Sequence, residues 1–233
     1  MSKLITFVSS YDGFRDIEEL KPYPSLQKIP QWYKDIPLDV KKEDFNSKLI
    51  PNLRTSKTCP SFIDILQEGF ILPAHTDMHF RIEEDGTMEW KTANPAFQIE
   101  LHNNNQFVNH TNTPIRQVFK IIYPYHVIVP KGYSIRQMPL IWDYNPDWHI
   151  SYGTFKADKI PEIALQLNYT STNNEIYIKA GTPLCQYIPY KRESFKMQIG
   201  DYKKYHDVIW ESWHRASTSF KHSYRRNIEN WDK

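Results

Sequence analysis

A mainly β fold is what this sequence predicts: an antiparallel sandwich or barrel of roughly eight to ten strands, decorated by one short helix and a C-terminal helix. Three observations carry that expectation. Apolar and polar residues alternate with a period of two at residues 97–101, 117–129 and 163–188, as half-buried strands require. No helical pattern separates successive strands, which argues against a βαβ arrangement. Glycine is scarce, seven among 233 residues, whereas prolines number 16 and aromatics reach 15%. With no GxGxxG and no GxxxxGK[ST] run, the backbone-amide phosphate cradles of dinucleotide-binding and P-loop enzymes are missing.

Leu4 to Val8 reads as an opening strand. Residues 1–60 form a proline-rich arm, with Pro22, Pro24, Pro30, Pro37, Pro51 and Pro60 breaking any long element. Within it Gln31-Trp32-Tyr33-Lys34 follows Pro30 and is expected to make a single helical turn. Thr58-Cys59-Pro60-Ser61 then opens an apolar run that Gly69 closes, which predicts a helix over 59–68. That helix introduces a β core over 61–195. Phe70 to Ile82 and Thr87 to Thr92 flank Glu83-Glu84-Asp85-Gly86, a hairpin signal with glycine available for a positive φ. Phe97 to Leu101 alternates cleanly, and Asn103-Asn104-Asn105 reads as a loop. Further strands are expected at Gln117 to Tyr123, His126 to Val129, Ile163 to Tyr169, and Glu175 to Ile178 leading into Leu184 to Ile188. Between residues 130 and 162 the prolines and glycines are expected to permit only short pieces.

Residues 196–233 revert to helix, with Tyr205, Ile209, Trp213, Ala216, Phe220 and Tyr224 recurring at steps of three and four. Such a stripe needs a cover: the protein's own sheet, with Trp213 as the deepest anchor, or a second subunit in a homo-oligomer. This extension holds eight basic and five acidic residues, and the whole chain carries a formal net charge of only +2. No field of that size singles out nucleic acid or an anionic membrane, so neither is expected as a partner. Trp210, Trp213, Tyr224 and Trp231 are therefore read as packing groups rather than base-stacking groups. The chain as a whole, 1–233, reads as one domain. No stretch approaches the ~20 apolar residues of a membrane span, and the first apolar run is too short for a signal peptide, so a cytoplasmic location is expected.

His75-Thr76-Asp77 has the HxD spacing of two ligands in a two-His-one-carboxylate iron site. No spacing selects a third ligand among His102, His110, His126 and His149. The pair is accordingly read as two half-buried strand residues, and neither a metal nor a cofactor is expected. Cys59 and Cys185 match no metal-ligand or redox spacing and are expected to be reduced thiols. Cys59 sits at a helix start, where the dipole lowers a thiol pKa, but no base accompanies it. It is read as a small buried hydrophobe beside Pro60.

The longest informative stretch is Val-Ile-Val-Pro-Lys-Gly-Tyr-Ser at 127–134, Gly153-Thr-Phe-Lys-Ala-Asp158, and Ile176 to Glu193 with its Gly-Thr-Pro-Leu-Cys-Gln-Tyr-Ile-Pro-Tyr-Lys-Arg block. Together with Trp32-Tyr33-Lys34, Ser56 to Asp64 and Gly69-Phe70-Ile71, it resembles an uncharacterised family of tailed-phage proteins common in T4-like phages of marine bacteria, including cyanophages. That likeness runs from about residue 30 to 200 and implies a phage gene product without an assigned activity. A second, local likeness lies inside it. A Val-Pro-Lys-Gly-Tyr strand, a Gly-to-Asp hairpin and a closing Gly-x-x-x-x-Gln are similar to the punctuation of the dUTPase and dCTP-deaminase barrel, which implies a β-clip-like or jelly-roll fold. In that family the hairpin presents an aspartate that activates water, and an Arg-Ser-Gly motif holds phosphates. Here Lys156 stands where the carboxylate aligns, Asp158 lies two positions on and shares its strand face, and Arg136-Gln137-Met138-Pro139 replaces the phosphate motif.

With the catalytic set incomplete, the expectation is a non-enzymatic phage accessory protein that binds a small host metabolite, a nucleotide, or a host protein during infection, in the host cytoplasm. Its candidate ligand-binding residues are Lys131, Tyr133, Lys156, Asp158 and Gln186. A dUTPase-like nucleotide hydrolase, a minor virion component and an Fe(II)-dependent oxygenase using His75 and Asp77 are the alternatives.

Overall fold

The computed structural model describes residues 3–40, 55–84, 87–94, 98–102, 106, 115–141, 143 and 145–217, the last five of these by backbone alone. The chain divides into two compact units, Met1–Ile29 with Leu66–Arg192, and Pro30–Ile65 with Glu193–Lys233.

Three antiparallel sheets build the first unit, and none closes into a barrel among the described residues. One sheet centres on β7 (Gln117–Ile128), which pairs with β1 (Thr6–Ser9), β6 (Gln98–Leu101) and β11 (Glu162–Tyr169); β9 (Trp148–Ile150) lies beyond β11. The second has the order β10 (Gly153–Phe155), β8 (Tyr133–Pro139), β13 (Pro183–Lys191), β3 (Phe70–Pro73), β2 (Tyr23–Pro24). The third sets β4 (Met78–Ile82) between β12 (Glu175–Ile178) and β5 (Met88–Thr92). Aromatic contacts join the sheets: Phe80 of β4 meets Phe119 of β7 with ring centroids 4.4 Å apart, and Phe7 of β1 meets Phe70 of β3 edge-on at 5.4 Å. Between them lie fully buried Leu72, Ile121, Ile135, Leu165, Tyr169 and Tyr187. Burying one such side chain is worth about 1.5–3 kcal/mol, so a core of this size holds the sheets face to face. The predicted antiparallel sandwich is the observed architecture.

Three local expectations need correction. Residues 70–82 are not one strand, because the chain leaves the second sheet after Pro73 and enters the third at Met78. The intervening residues bond elsewhere: Ala74 donates to Thr182 O at 2.7 Å and accepts from Gly181 N at 2.7 Å. Residues 117–128 are one strand rather than two, even though Pro124 lacks an N–H. The register against β11 jumps between His126↔Glu162 and Ile122↔Ala164, so Pro124 sits in a bulge, the place where a sheet tolerates proline. The 130–162 stretch, expected to hold only short pieces, contains the seven-residue β8, with Ser134, Ile135 and Gln137 buried against β13. The β4–β5 hairpin holds as read, with Ile82 opposite Met88. Phe97, Gly86 and the Asn103–Asn105 run lie outside the described residues.

In the second unit the expected turn after Pro30 is α1 (Gln31–Asp35), and Tyr33 stacks on Phe62 at 5.7 Å and 14°. The helix expected at 59–68 is α2 (Pro60–Gln67), and Cys59 before it is exposed rather than buried, since it precedes the helical face that packs. The C-terminal helix α3 (Tyr202–Ser217) starts later than residue 196. Tyr205 and Ile209 of the expected stripe are exposed, while Phe220 and Tyr224 and the side chains of Trp213 and Ala216 lie outside the described residues.

Gly69 ends α2 with φ +71, and a Cβ there would be driven into the Tyr187 carbonyl. Gly132 has φ +87 but faces open space. Gly69→Ala should therefore cost about 3 kcal/mol or more in urea denaturation, left-handed strain plus overpacking, while Gly132→Ala should cost about 1 kcal/mol from strain alone. Equal losses would contradict the packing assigned to Gly69.

Candidate functional site

The hairpin singled out by sequence folds as a structural clasp. The strand ends at Phe155, and the chain turns at once, Lys159 and Ile160 N–H both donating to Lys156 O. Strand alternation therefore stops before Lys156, which is exposed, and Asp158 goes its own way. Its carboxylate accepts Arg192 Nη1 at 2.8 Å on one oxygen, and Arg192 Nη2 at 2.5 Å and Gly132 N at 2.8 Å on the other. Arg192 Nη1 also donates to Tyr133 O and Ser134 Oγ. The Arg192 hydrogen bonds first, and the Gly132 amide second, hold the Asp158 carboxyl well below the usual carboxylate range. A carboxylate so engaged fastens the Gly132 turn to the end of β13, and its low basicity is the wrong property for activating water.

The five candidate residues therefore separate. Lys131, Tyr133 and Asp158 gather around this clasp, with Lys156 at the turn beside it. Gln186 is 2% exposed, pairs with Ile71 and Met138, and gives its amide to Glu68 O, an orphan carbonyl at the end of α2. It supports a helix end.

His75 and Asp77 also part company. They lie in the crossover between β3 and β4, not on a strand. His75 is buried edge-on between the rings of Phe14 at 5.8 Å and Tyr123 at 5.4 Å, and burial pushes its pKa down to about 4. Asp77 is exposed and accepts Ala180 N at 2.8 Å. No group of three potential metal ligands occurs among the described residues.

The surface that does converge is the outer face of the β12–β4–β5 sheet. Met78, Phe80, Ile82, Ile176 and Ile178 point into the core, so alternation turns His79, Arg81, Glu175 and Tyr177 outward. Register places Tyr177, His79 and Lys91 in one row across the three strands. The Tyr177 and His79 rings stack with centroids 4.0 Å apart and planes within 4° of parallel, and Tyr177 remains 69% exposed. His79 Nε2 lies 3.3 Å from Glu175 Oε2, and Arg81 Nε lies 3.7 Å from the other oxygen of Glu175. An open groove of about 460 Å³ runs beside the stack, lined by Asp77, Lys91, Thr92, Tyr177 and Lys179 among others. Lys179 is presented by the β12–β13 turn, which Asp77 and Ala74 hold through Ala180 and Gly181.

This face was not read from the sequence. The available signal was Tyr177, an aromatic at the polar position of an alternating strand, yet His79 and Lys91 join it only through pairing across three strands.

No family model matches this chain, and no curated protein matches it. Solved structures similar to it include the dUTPase of EIAV, at 14% identity and TM-score 0.34, covering 57% of this chain and 82% of that one. Two others are mutant dUTPases, one from phage phi11 of S. aureus and one from Staphylococcus bacteriophage 80alpha. The first has 12% identity and TM-score 0.29, covering 45% and 96% of the two chains. The second has 10% identity and TM-score 0.28, covering 46% and 97%.

Two outcomes test these assignments. Asp158 has a depressed pKa in the fold, so its stabilisation is complete above the unfolded value near ~3.9 and fades as pH falls through the folded value. Asp158→Asn should lower the melting temperature at neutral pH, and the gap from wild type should narrow below about pH 4. For His75, proton uptake by the unfolded chain between pH 6.5 and 4 should remove on the order of 3 kcal/mol as pH falls, and His75→Phe should flatten that part of the stability profile.

Proposed function

We propose that this protein is a non-enzymatic binding protein for a small, planar, anionic metabolite of the nucleotide class, held on the outer face of the β12–β4–β5 sheet. The observation that carries the reading is the parallel His79–Tyr177 stack beside a groove that also presents Lys91 and Lys179. A planar ring added to the exposed phenol gains stacking worth about 1–3 kcal/mol, tolerant of which base supplies it. The two ammonium groups offer point charges to phosphate. The volume is of the order used by small-molecule sites, roughly 300–1,000 Å³. Against a hydrolase stands Lys156, at the position where the likeness aligns the water-activating carboxylate, while Asp158 two residues on is engaged by Arg192 and Gly132. The sequence resemblance to tailed-phage proteins supports placing this binding in an infected host cell.

Isothermal titration of nucleosides and nucleoside mono-, di- and triphosphates, with chromatography of the same mixtures in Mg²⁺, tests the reading. Phosphorylated ligands should bind without product. Tyr177→Ala should weaken them about tenfold or more, the loss of ~1.4 kcal/mol of stacking. Replacing Lys91 and Lys179 by alanine should weaken the phosphates and spare the nucleosides. Product accumulation, or affinity indifferent to Tyr177, would overturn it.

A further inference from the structure

Phe195, Met197 and Ile199 are 87%, 90% and 89% exposed, apolar residues at every second position of a segment that belongs to no described strand or helix. The segment ends at Gly200, where the Tyr205 ring packs so closely that a Cβ would collide with it. That contact fixes the corner between segment and helix. Beyond it α3 presents Tyr202, Tyr205, Val208 and Ile209, at 60%, 42%, 69% and 45% exposure, along one side. These four, with Gln198, Gly200 and Asp201, line a groove of about 480 Å³.

From this geometry we infer that the 195–209 face is the dimer interface of the protein, covered by a second copy. The patch holds both parts of a self-complementary contact: apolar side chains spaced at two residues, and an apolar groove. An isologous two-fold contact places each part of one copy against the other part of its partner. The seven exposed side chains offer on the order of 800 Å² per copy, about what a standard-size interface buries on each partner.

The mass of the full chain, measured by light scattering and sedimentation over two decades of concentration, tests the inference. The wild type should be a dimer. Met197→Glu with Ile199→Glu should shift it to monomer with an unchanged melting temperature and far-ultraviolet spectrum, because both side chains are solvent-exposed within one chain. A wild type that is monomeric throughout, or a Met197→Glu, Ile199→Glu variant that stays dimeric, would each overturn it. A monomeric wild type destabilised by the Met197 and Ile199 changes would place the cover within the same chain instead.

Discussion

The Tyr123 hydroxyl donates to the Pro73 carbonyl across 2.7 Å in a fully buried setting, and the arrangement of all three sheets depends on that contact. Tyr123 belongs to β7, the strand that organises the first sheet. Pro73 is the last residue of β3 in the second, and the next strand the chain enters is β4 of the third. At the crossover the backbone has no sheet partner, so each polar group must find one in the interior or incur about 1–3 kcal/mol. Tyr123 serves Pro73, Thr182 and Gly181 serve Ala74, and Asp77 caps Ala180. Burial raises the Tyr123 phenol well above its ordinary pKa, so it stays a donor at any physiological pH.

The same crossover shapes the groove. By delivering β4 to the middle of the third sheet it sets His79 between Tyr177 and Lys91, and by holding the 179–182 turn it sets Lys179 at the rim. The clasp formed by Asp158, Arg192 and Gly132 has a different task, fastening a tight turn to the end of the longest strand of the second sheet. Both sites are charged, but only the groove leaves an aromatic face open to a ligand.

Elements governed by neighbours in sequence were legible there. The β4–β5 hairpin, the α2 helix with its glycine stop, and β11 and β13 follow from alternation and turn chemistry over spans of ten residues or fewer. What escaped was set by distant partners. Pro124 breaks a strand in the sequence reading, yet β11 supplies a bulge that accepts it. Residues 70–82 alternate as one strand, yet hydrogen bonds from residues 180–182 divide them. Asp158 was found for its place in a hairpin, but its role depends on Arg192, 34 residues on. Tyr177, His79 and Lys91 come from three segments that alternation describes singly and only strand pairing assembles.

The most direct test of the proposed binding face is a map of amide resonances in ¹⁵N-labelled protein titrated with a nucleoside triphosphate. The account expects saturable shifts confined to Asp77–His79, Lys91–Ala93 and Tyr177–Lys179, together with upfield-shifted ligand ring protons from stacking on Tyr177. Shifts centred instead on Lys131, Tyr133 and Asp158, or none at saturating ligand, would contradict it.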